Sequence, residues 1–338
     1  MSKIAVLGAG SWGTALAFAL AQNGHEINLV ARNEETAKKI TAAKSNEKYL
    51  PGVVLPWLIN VTADQERAIG KAEHLVLALP SHELRGFLQG CKSCIKKEQI
   101  VINTAKGFEQ KSCLRLSQVI DEEIGGINRI VVLSGPSHAE EVAKNLPTVV
   151  VAAGYGAQSA SYVQDLFMSA NFRVYTNEDV CGVEIGGAVK NVIALATGIS
   201  DGLGLGDNTR AAIMTRGITE MTRLGIAMGG NVATFSGLTG LGDLIVTCGS
   251  MHSRNRRAGI LLGEGFTLEE VLSKIGMVVE GAKAAETTAQ LARKWQIEMP
   301  ITLGVTKVLS GEESPKMIAR ALMTRQRVNE IEDLLNLN

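Results

Sequence analysis

Six residues near the start, Gly8-Ala9-Gly10-Ser11-Trp12-Gly13, constrain this chain more than any other feature. They follow the apolar run Ile4–Leu7 and open a helical pattern that Gly24-His25 closes before a second apolar run, Glu26–Val30. A glycine-rich turn between a strand and a helix is how a βαβ unit takes up a dinucleotide. Gly8 would make the tight turn, Gly10 would admit a pyrophosphate close to the backbone, and Gly13 would let helix and strand pack together. The helix N-terminus then offers unpaired N–H groups and a positive dipole end to the anion. The alternative is a purely structural turn, in a chain where 36 of 338 residues are glycine. The position between strand and helix favours dinucleotide binding.

The first half continues in the same rhythm. Lys3–Leu7 and Glu26–Val30 are followed by candidate strands at Ile59–Thr62, His74–Leu79, Ile100–Asn103, Ile130–Ser134, Thr148–Ala152 and Phe172–Thr176, most of them runs of Val, Ile, Leu and Ala as expected where both sheet faces are covered. Helix-length segments such as Trp12–Asn23, Glu34–Ala43 and Ala157–Phe167 lie between several of them, so the expectation is a mostly parallel sheet of the doubly wound α/β class. After about Glu178 strand signals stop, and Val183–Thr197, Thr209–Leu224, Ser253–Leu262, Leu268–Ile275, Ala282–Trp295 and Pro315–Ala321 read as helices. The expected organisation is a Rossmann-type domain over 1–178 and an all-helical substrate domain over 179–338.

Composition narrows the function classes. Thirty-four basic and thirty-four acidic residues cancel, so no bulk field favours nucleic acid or an anionic membrane, and anion recognition must be local. Five cysteines are too few for a secreted disulfide framework. The uncharged stretch Leu224–Gly242 carries six glycines with Asn231, Thr234, Ser236 and Thr239, too polar to span a bilayer. Lys3 and the apolar run to Ala19 loosely imitate a signal peptide, but Gly8, Gly10 and Gly13 interrupt it. A cytoplasmic location is expected. Cys91-Lys92-Ser93-Cys94 has no second ligand pair at zinc spacing, and no metal or redox role is assigned to it.

Four further clusters bear on chemistry. At the end of the second strand, where an NAD site places a carboxylate, this chain has Arg32-Asn33. Arg32 is suited to a 2′-phosphate, which favours NADP, though a solvated Arg is the default for that residue type. Lys106-Gly107 and Ser134-Gly135-Pro136-Ser137-His138-Ala139 each follow a strand, where such sheets bind ligands, or are simply polar turns. Lys190 is the only charge between Glu184 and Asp201, with Gly186, Gly187 and Ala194 on its helical face. An apolar, crowded site lowers a lysine pKa toward neutrality and suits it to proton transfer; a stem covering apolar surface is the competing reading. Finally, Gly240-Leu241-Gly242-Asp243 precedes Ser253-Arg254-Asn255-Arg256-Arg257, either a local anion site or a solvated helix start.

Taken in order, Gly8–Ala15, Lys106-Gly107, Ser134–Ser137, Gly187-Ala188-Val189-Lys190-Asn191, Gly240–Asp243 and Ser253-Arg254-Asn255 closely resemble the bacterial NAD(P)-dependent glycerol-3-phosphate dehydrogenases over nearly the whole chain. The resemblance implies reversible reduction of dihydroxyacetone phosphate to sn-glycerol 3-phosphate, feeding phospholipid synthesis. It implies Lys190 as the proton donor or acceptor. It implies substrate contacts at Lys106, Gly135, Ser137, Lys190, Asp243, Ser253, Arg254 and Asn255, and cofactor contacts at Ser11, Trp12, Arg32, Lys106, Ala139, Arg254, Val278 and Glu280 beside the glycines. NADP is the expected cofactor ahead of NAD, and a homodimer is left open. Two other readings stand beside it: a related β-hydroxyacid dehydrogenase acting on a carboxylate, and a non-catalytic nucleotide sensor. The intact Lys190, Asp243 and Arg254 set weighs against the sensor, which needs no general acid.

Overall fold

The computed structural model describes residues 1–327 and 329. The last residues of the expected second domain lie outside the described residues. Among the described residues ten strands form in chain order: β1 Lys3–Leu7, β2 Glu26–Val30, β3 Ser45–Asn46, β4 Leu50–Val54, β5 Ile59–Thr62, β6 His74–Leu77, β7 Ile100–Asn103, β8 Ile130–Ser134, β9 Thr148–Gly154 and β10 Phe172–Asn177. Eight of them make one sheet in the order β10-β9-β8-β7-β6-β1-β2-β5, and β3 and β4 form a separate antiparallel ribbon. Every pairing in the large sheet is parallel except β8 with β9, so the expectation of a mostly parallel sheet is met.

Strand alternation divides the apolar side chains between two cores. Ile4 and Val6 of β1 face one cluster with Leu16, Leu20 and Phe167, while Ala5 and Leu7 face another with Ile69, Leu84, Leu88 and Ile120. Helices Ser11–Gln22 and Ala157–Phe167 cover the first face; Gln65–Lys71, Leu84–Cys91 and Leu116–Ile124 cover the second. Burial on both faces explains why these strands read as continuous apolar runs. The ribbon β3–β4 escaped sequence reading because β3 is two residues long and β4 contains Pro51 and Gly52, both poor strand formers.

The described residues form two compact units: 1–105 with 116–180, and 106–115 with 181–327. In the second, helix Val180–Gly202 is the axis, long and apolar enough to cross a membrane but with 94% of its most apolar window buried inside the protein. Around it lie Gly206–Ala227, Asp243–Gly249, Arg254–Gly263, Leu268–Ile275, Glu280–Lys294, Pro300–Ser310 and Pro315–Met323. Several begin at caps legible in sequence. Ser253 accepts from the Arg256 N–H, Thr267 and Glu270 form a capping box, and Ser314 precedes a proline at the first turn.

Helix Arg254–Gly263 meets the axial helix through glycines on both sides. A Cβ on Gly198 would stand 2.1 Å from the Arg256 carbonyl oxygen, and one on Gly202 would stand 2.2 Å from that of Ile260. Reciprocally, a Cβ on Gly259 would meet the Leu195 carbonyl at 2.3 Å, and one on Gly263 that of Ile199 at 2.4 Å. Backbone touches backbone, so no side-chain rearrangement can make room. Gly198→Ala is therefore expected to destabilise the protein by about 1–3 kcal/mol, the usual scale of overpacking. Gly249→Ala, in open space, is the control. A denaturant midpoint for Gly198→Ala as high as the control's would show that the helices can separate freely.

Candidate active site

In the first unit, the glycine turn has the form its sequence suggests. Gly8 has φ +116°, and a Cβ there would lie 2.4 Å from the Ala78 carbonyl oxygen. A Cβ on Gly13 would lie 1.9 Å from the Gly8 carbonyl oxygen, so the turn closes only without side chains at either position. Gly10 differs, since a Cβ there would meet nothing within 4 Å. Its side of the turn is open. Gly10 precedes helix Ser11–Gln22, which has no side-chain cap and no acidic residue in its first turn. Its first N–H groups therefore face outward with a positive dipole, a fit for a pyrophosphate.

Arg32 lies just beyond the end of β2 and is exposed. Asn33 caps the next helix by accepting from the Thr36 N–H at 2.9 Å, so its carboxamide oxygen is committed to the backbone. After β8, Gly135 has φ +131°, and the Ser137 hydroxyl donates to the Gly135 carbonyl at 3.0 Å. Ala139, 8% exposed, starts the short helix that follows.

The second unit holds the charged cluster. Lys190 lies in the axial helix with its ammonium buried, donating to Asp243 Oδ1 at 2.5 Å and to Thr247 Oγ1 at 2.7 Å. Lys106 donates to the other carboxylate oxygen, Asp243 Oδ2, at 2.7 Å. Thr247, one turn after Asp243, donates to the Asp243 backbone carbonyl at 2.6 Å. Thr247 had no signal in the sequence; only the spacing i, i+4 on helix Asp243–Gly249 could have suggested it. That helix is entered through a π-turn, Leu238–Gly242, which allows close backbone packing. A Cβ on Gly240 would stand 2.1 Å from the Phe235 carbonyl oxygen.

The electrostatics follow from burial and charge. Burial pushes the Lys190 ammonium down, Asp243 pulls it back up, and Lys106 pushes it down again; the balance is about 8. For Asp243, burial favours the neutral acid, but Lys106 and Lys190 outweigh it and hold the carboxyl below its ordinary value. One carboxylate between two ammonium groups leaves the cluster with an excess positive charge, suited to an anionic substrate or a developing alkoxide.

Lys106 reaches this cluster because its segment belongs with the helices. Phe108 is buried in the helical core, and Arg115 Nη1 donates to Glu184 Oε2 at 2.6 Å in a buried ion pair. Cys113 Sγ lies 3.1 Å from Gln290 Oε1. The remaining expected positions form a junction of three helices. The Asn255 amide donates to Asn191 Oδ1 at 2.8 Å, and Asn255 Oδ1 accepts from the Gly281 N–H at 2.9 Å. Ser253 is the helix cap, Arg254 Nη1 donates to the Val278 carbonyl at 3.3 Å, and Glu280 opens the third helix. The arginine cluster does not act as one group: Arg256 is committed to Asp201, at 2.9 Å, and to the Gly249 carbonyl.

Cys91 is buried, which pushes its thiol up to about 11, away from the thiolate a redox or metal site needs. Asp243 supports the charge on Lys190, so Asp243→Asn is expected to move the Lys190 titration below about 8. The pH dependence of turnover in the variant checks this. An unmoved or raised midpoint would show that Asp243 does not set the lysine.

Comparisons with known proteins bear on both units. The model of the NAD-dependent glycerol-3-phosphate dehydrogenase N-terminus matches residues 3–160, and that of the C-terminus matches residues 179–320. A glycerol-3-phosphate dehydrogenase (NAD(P)+) of Moorella thermoacetica is 55% identical over 330 residues, 98% of either chain. One of Bacillus velezensis is 50% identical over 338 residues, covering 99% of this chain and 98% of its own. The crystal structure of glycerol-3-phosphate dehydrogenase from Coxiella burnetii superposes with a TM-score of 0.92 at 39% identity, over 96% of this chain and 99% of that one. Two family models, near-complete relatives and a matching solved structure agree: the chain belongs to the NAD-dependent glycerol-3-phosphate dehydrogenase family.

Proposed function

We propose that this protein interconverts dihydroxyacetone phosphate and sn-glycerol 3-phosphate with NADP or NAD, and that Lys190 is its proton donor and acceptor. The observation that carries the reading is the buried Lys190–Asp243 pair with Lys106 on the second carboxylate oxygen, in a chain of this family. The nicotinamide, when bound, supplies a hydride to the substrate carbonyl carbon. Lys190 in its protonated form gives a proton to the carbonyl oxygen, and in its neutral form takes one from the hydroxyl in reverse. A pKa near 8 keeps both forms accessible near neutral pH. Asp243 and Thr247 hold the ammonium in one orientation, and Lys106 adds positive charge where the oxygen becomes negative.

The phosphate is assigned to Arg254 with Ser253 and Asn255 at one helix start, where dipole and guanidinium add. Gly135 and Ser137 complete the substrate contacts. The dinucleotide is assigned to Gly8, Gly10, Ser11, Trp12 and Gly13, with Arg32, Lys106, Ala139, Arg254, Val278 and Glu280. An exposed Arg32 with no carboxylate in its place at the end of β2 supports a preference for NADP. The product would feed glycerophospholipid synthesis in the cytoplasm.

Lys190→Met keeps the apolar stem and deletes the ammonium. Turnover with dihydroxyacetone phosphate should fall by roughly two to four orders of magnitude while NADPH still binds, as expected on losing a positioned proton donor. A folded variant with full activity would reduce Lys190 to a packing residue. Arg32→Asp should narrow or reverse the preference for NADPH over NADH, measured as the ratio of kcat/KM values. An unchanged ratio would remove Arg32 from the cofactor site.

A further inference from the structure

The glycine turn is held from outside by one buried side chain. Asn46 is 2% exposed, and its amide donates to the Ala9 carbonyl at 2.9 Å and to Thr14 Oγ1 at 2.8 Å. These two acceptors bracket the turn: Ala9 lies between the first two glycines, and Thr14 follows the third. Both N–H groups of the amide are thereby used, one on each limb. Thr14 is itself fully buried, and its N–H closes on the Gly10 carbonyl at 3.0 Å.

Local structure explains how Asn46 gets there. Helix Glu34–Ala43 ends with Lys44 at φ 50°, and β3 follows at once with a register shift between Ser45 and Asn46. Lys44 is tied back by the Leu55 N–H on its carbonyl at 2.8 Å, and the Asn46 carbonyl accepts from the Tyr49 N–H at 3.1 Å. The left-handed residue and the register shift turn the chain so that the Asn46 side chain is buried against the Ala9 carbonyl and Thr14. The ribbon β3–β4 thus gives the first unit a rigid support for a turn whose glycines cannot hold it by side-chain packing.

We infer that Asn46 is a positioning residue for the dinucleotide, fixing the Ala9–Thr14 turn in the form whose N–H groups meet the pyrophosphate. The inference rests on the reading of that turn as the cofactor site. Asn46 acts on the part of the ligand common to both coenzymes, whereas Arg32 acts on the part that distinguishes them.

The test is equilibrium binding of NADPH and of NADH, followed by fluorescence, together with the melting temperature with and without each coenzyme. Asn46→Ala removes both hydrogen bonds and Thr14→Val, nearly isosteric, removes one. The expected result is a Kd raised about tenfold in Asn46→Ala and about threefold in Thr14→Val. NADPH and NADH should be affected alike, and each coenzyme should raise the melting temperature less than in the unaltered protein. At saturating coenzyme, kcat and the KM for dihydroxyacetone phosphate should stay within twofold. The double variant should match Asn46→Ala alone, because Thr14 acts through Asn46. Lower melting temperature with unchanged Kd in both variants would overturn the inference and leave Asn46 as a folding residue. Should Asn46→Ala not fold, Thr14→Val decides, and an unchanged Kd there overturns it equally. Failure of the unaltered protein to bind either coenzyme would instead overturn the cofactor reading.

Discussion

Asp243 accepts from Lys190 through one carboxylate oxygen and from Lys106 through the other, in the interior of the helical unit. Two ammonium groups on one carboxylate repel each other, and the buried Lys190 also loses hydration; the carboxylate between them offsets both costs. Each member depends on the others. Asp243 raises the Lys190 titration against the pull of burial, and the two lysines hold Asp243 below its ordinary value. The arrangement leaves Lys190 charged yet able to release its proton near pH 8. A free surface lysine at its ordinary value is almost entirely protonated at neutral pH.

Holding that carboxylate requires unusually close backbone packing, and glycine supplies it. The π-turn before Asp243 lies against the Phe235 backbone at Gly240, and a Cβ on Gly186 of the axial helix would stand 2.8 Å from the Thr239 carbonyl oxygen. The helix that starts at Arg254 reaches the axial helix through four more glycines. A Cβ on Gly281 would lie 2.5 Å from the Asn191 carbonyl oxygen, so the third helix of the junction is equally close. Hydrogen bonds among Asn191, Asn255 and Gly281 then fix the helices at the short distance the glycines permit. The same residue type does different work in the first unit, where Gly8 and Gly13 close a turn and a Cβ on Gly10 would meet nothing within 4 Å.

Much of this was legible in the residues. β1, β7 and β8 run over the spans their apolar patterns indicate, because strands covered on both faces leave an unbroken apolar signature, and the edge strand β5, Ile-Asn-Val-Thr, is legible instead from its alternation of apolar and polar residues. Lys190 stood out as a lone charge in an apolar helix, and it is indeed buried. Helix Pro300–Ser310 has no capping side chain of its own: its first N–H groups are met by Glu220, distant in sequence, which accepts from Ile301 and Thr302. The arginines after Ser253 looked like a single anion cluster, but Arg256 spends its charge on Asp201. A local pattern shows which residue types are near in sequence and not which partners they find.

The sequence by itself determined the strand–turn–helix beginning, the change from α/β to helical at about residue 178, and the isolation of Lys190, all of which rest on local periodicity and short-range backbone requirements. Tertiary structure decided the rest, because it depends on contacts between residues far apart in the chain. It placed the 106–115 segment with the helices through Phe108 and the Arg115–Glu184 pair, and so brought Lys106 to Asp243. It set Thr247 against Lys190, and it carried Asn46 into the glycine turn. A buried ammonium or amide takes its properties from the groups that meet it in space, and periodicity carries no record of those.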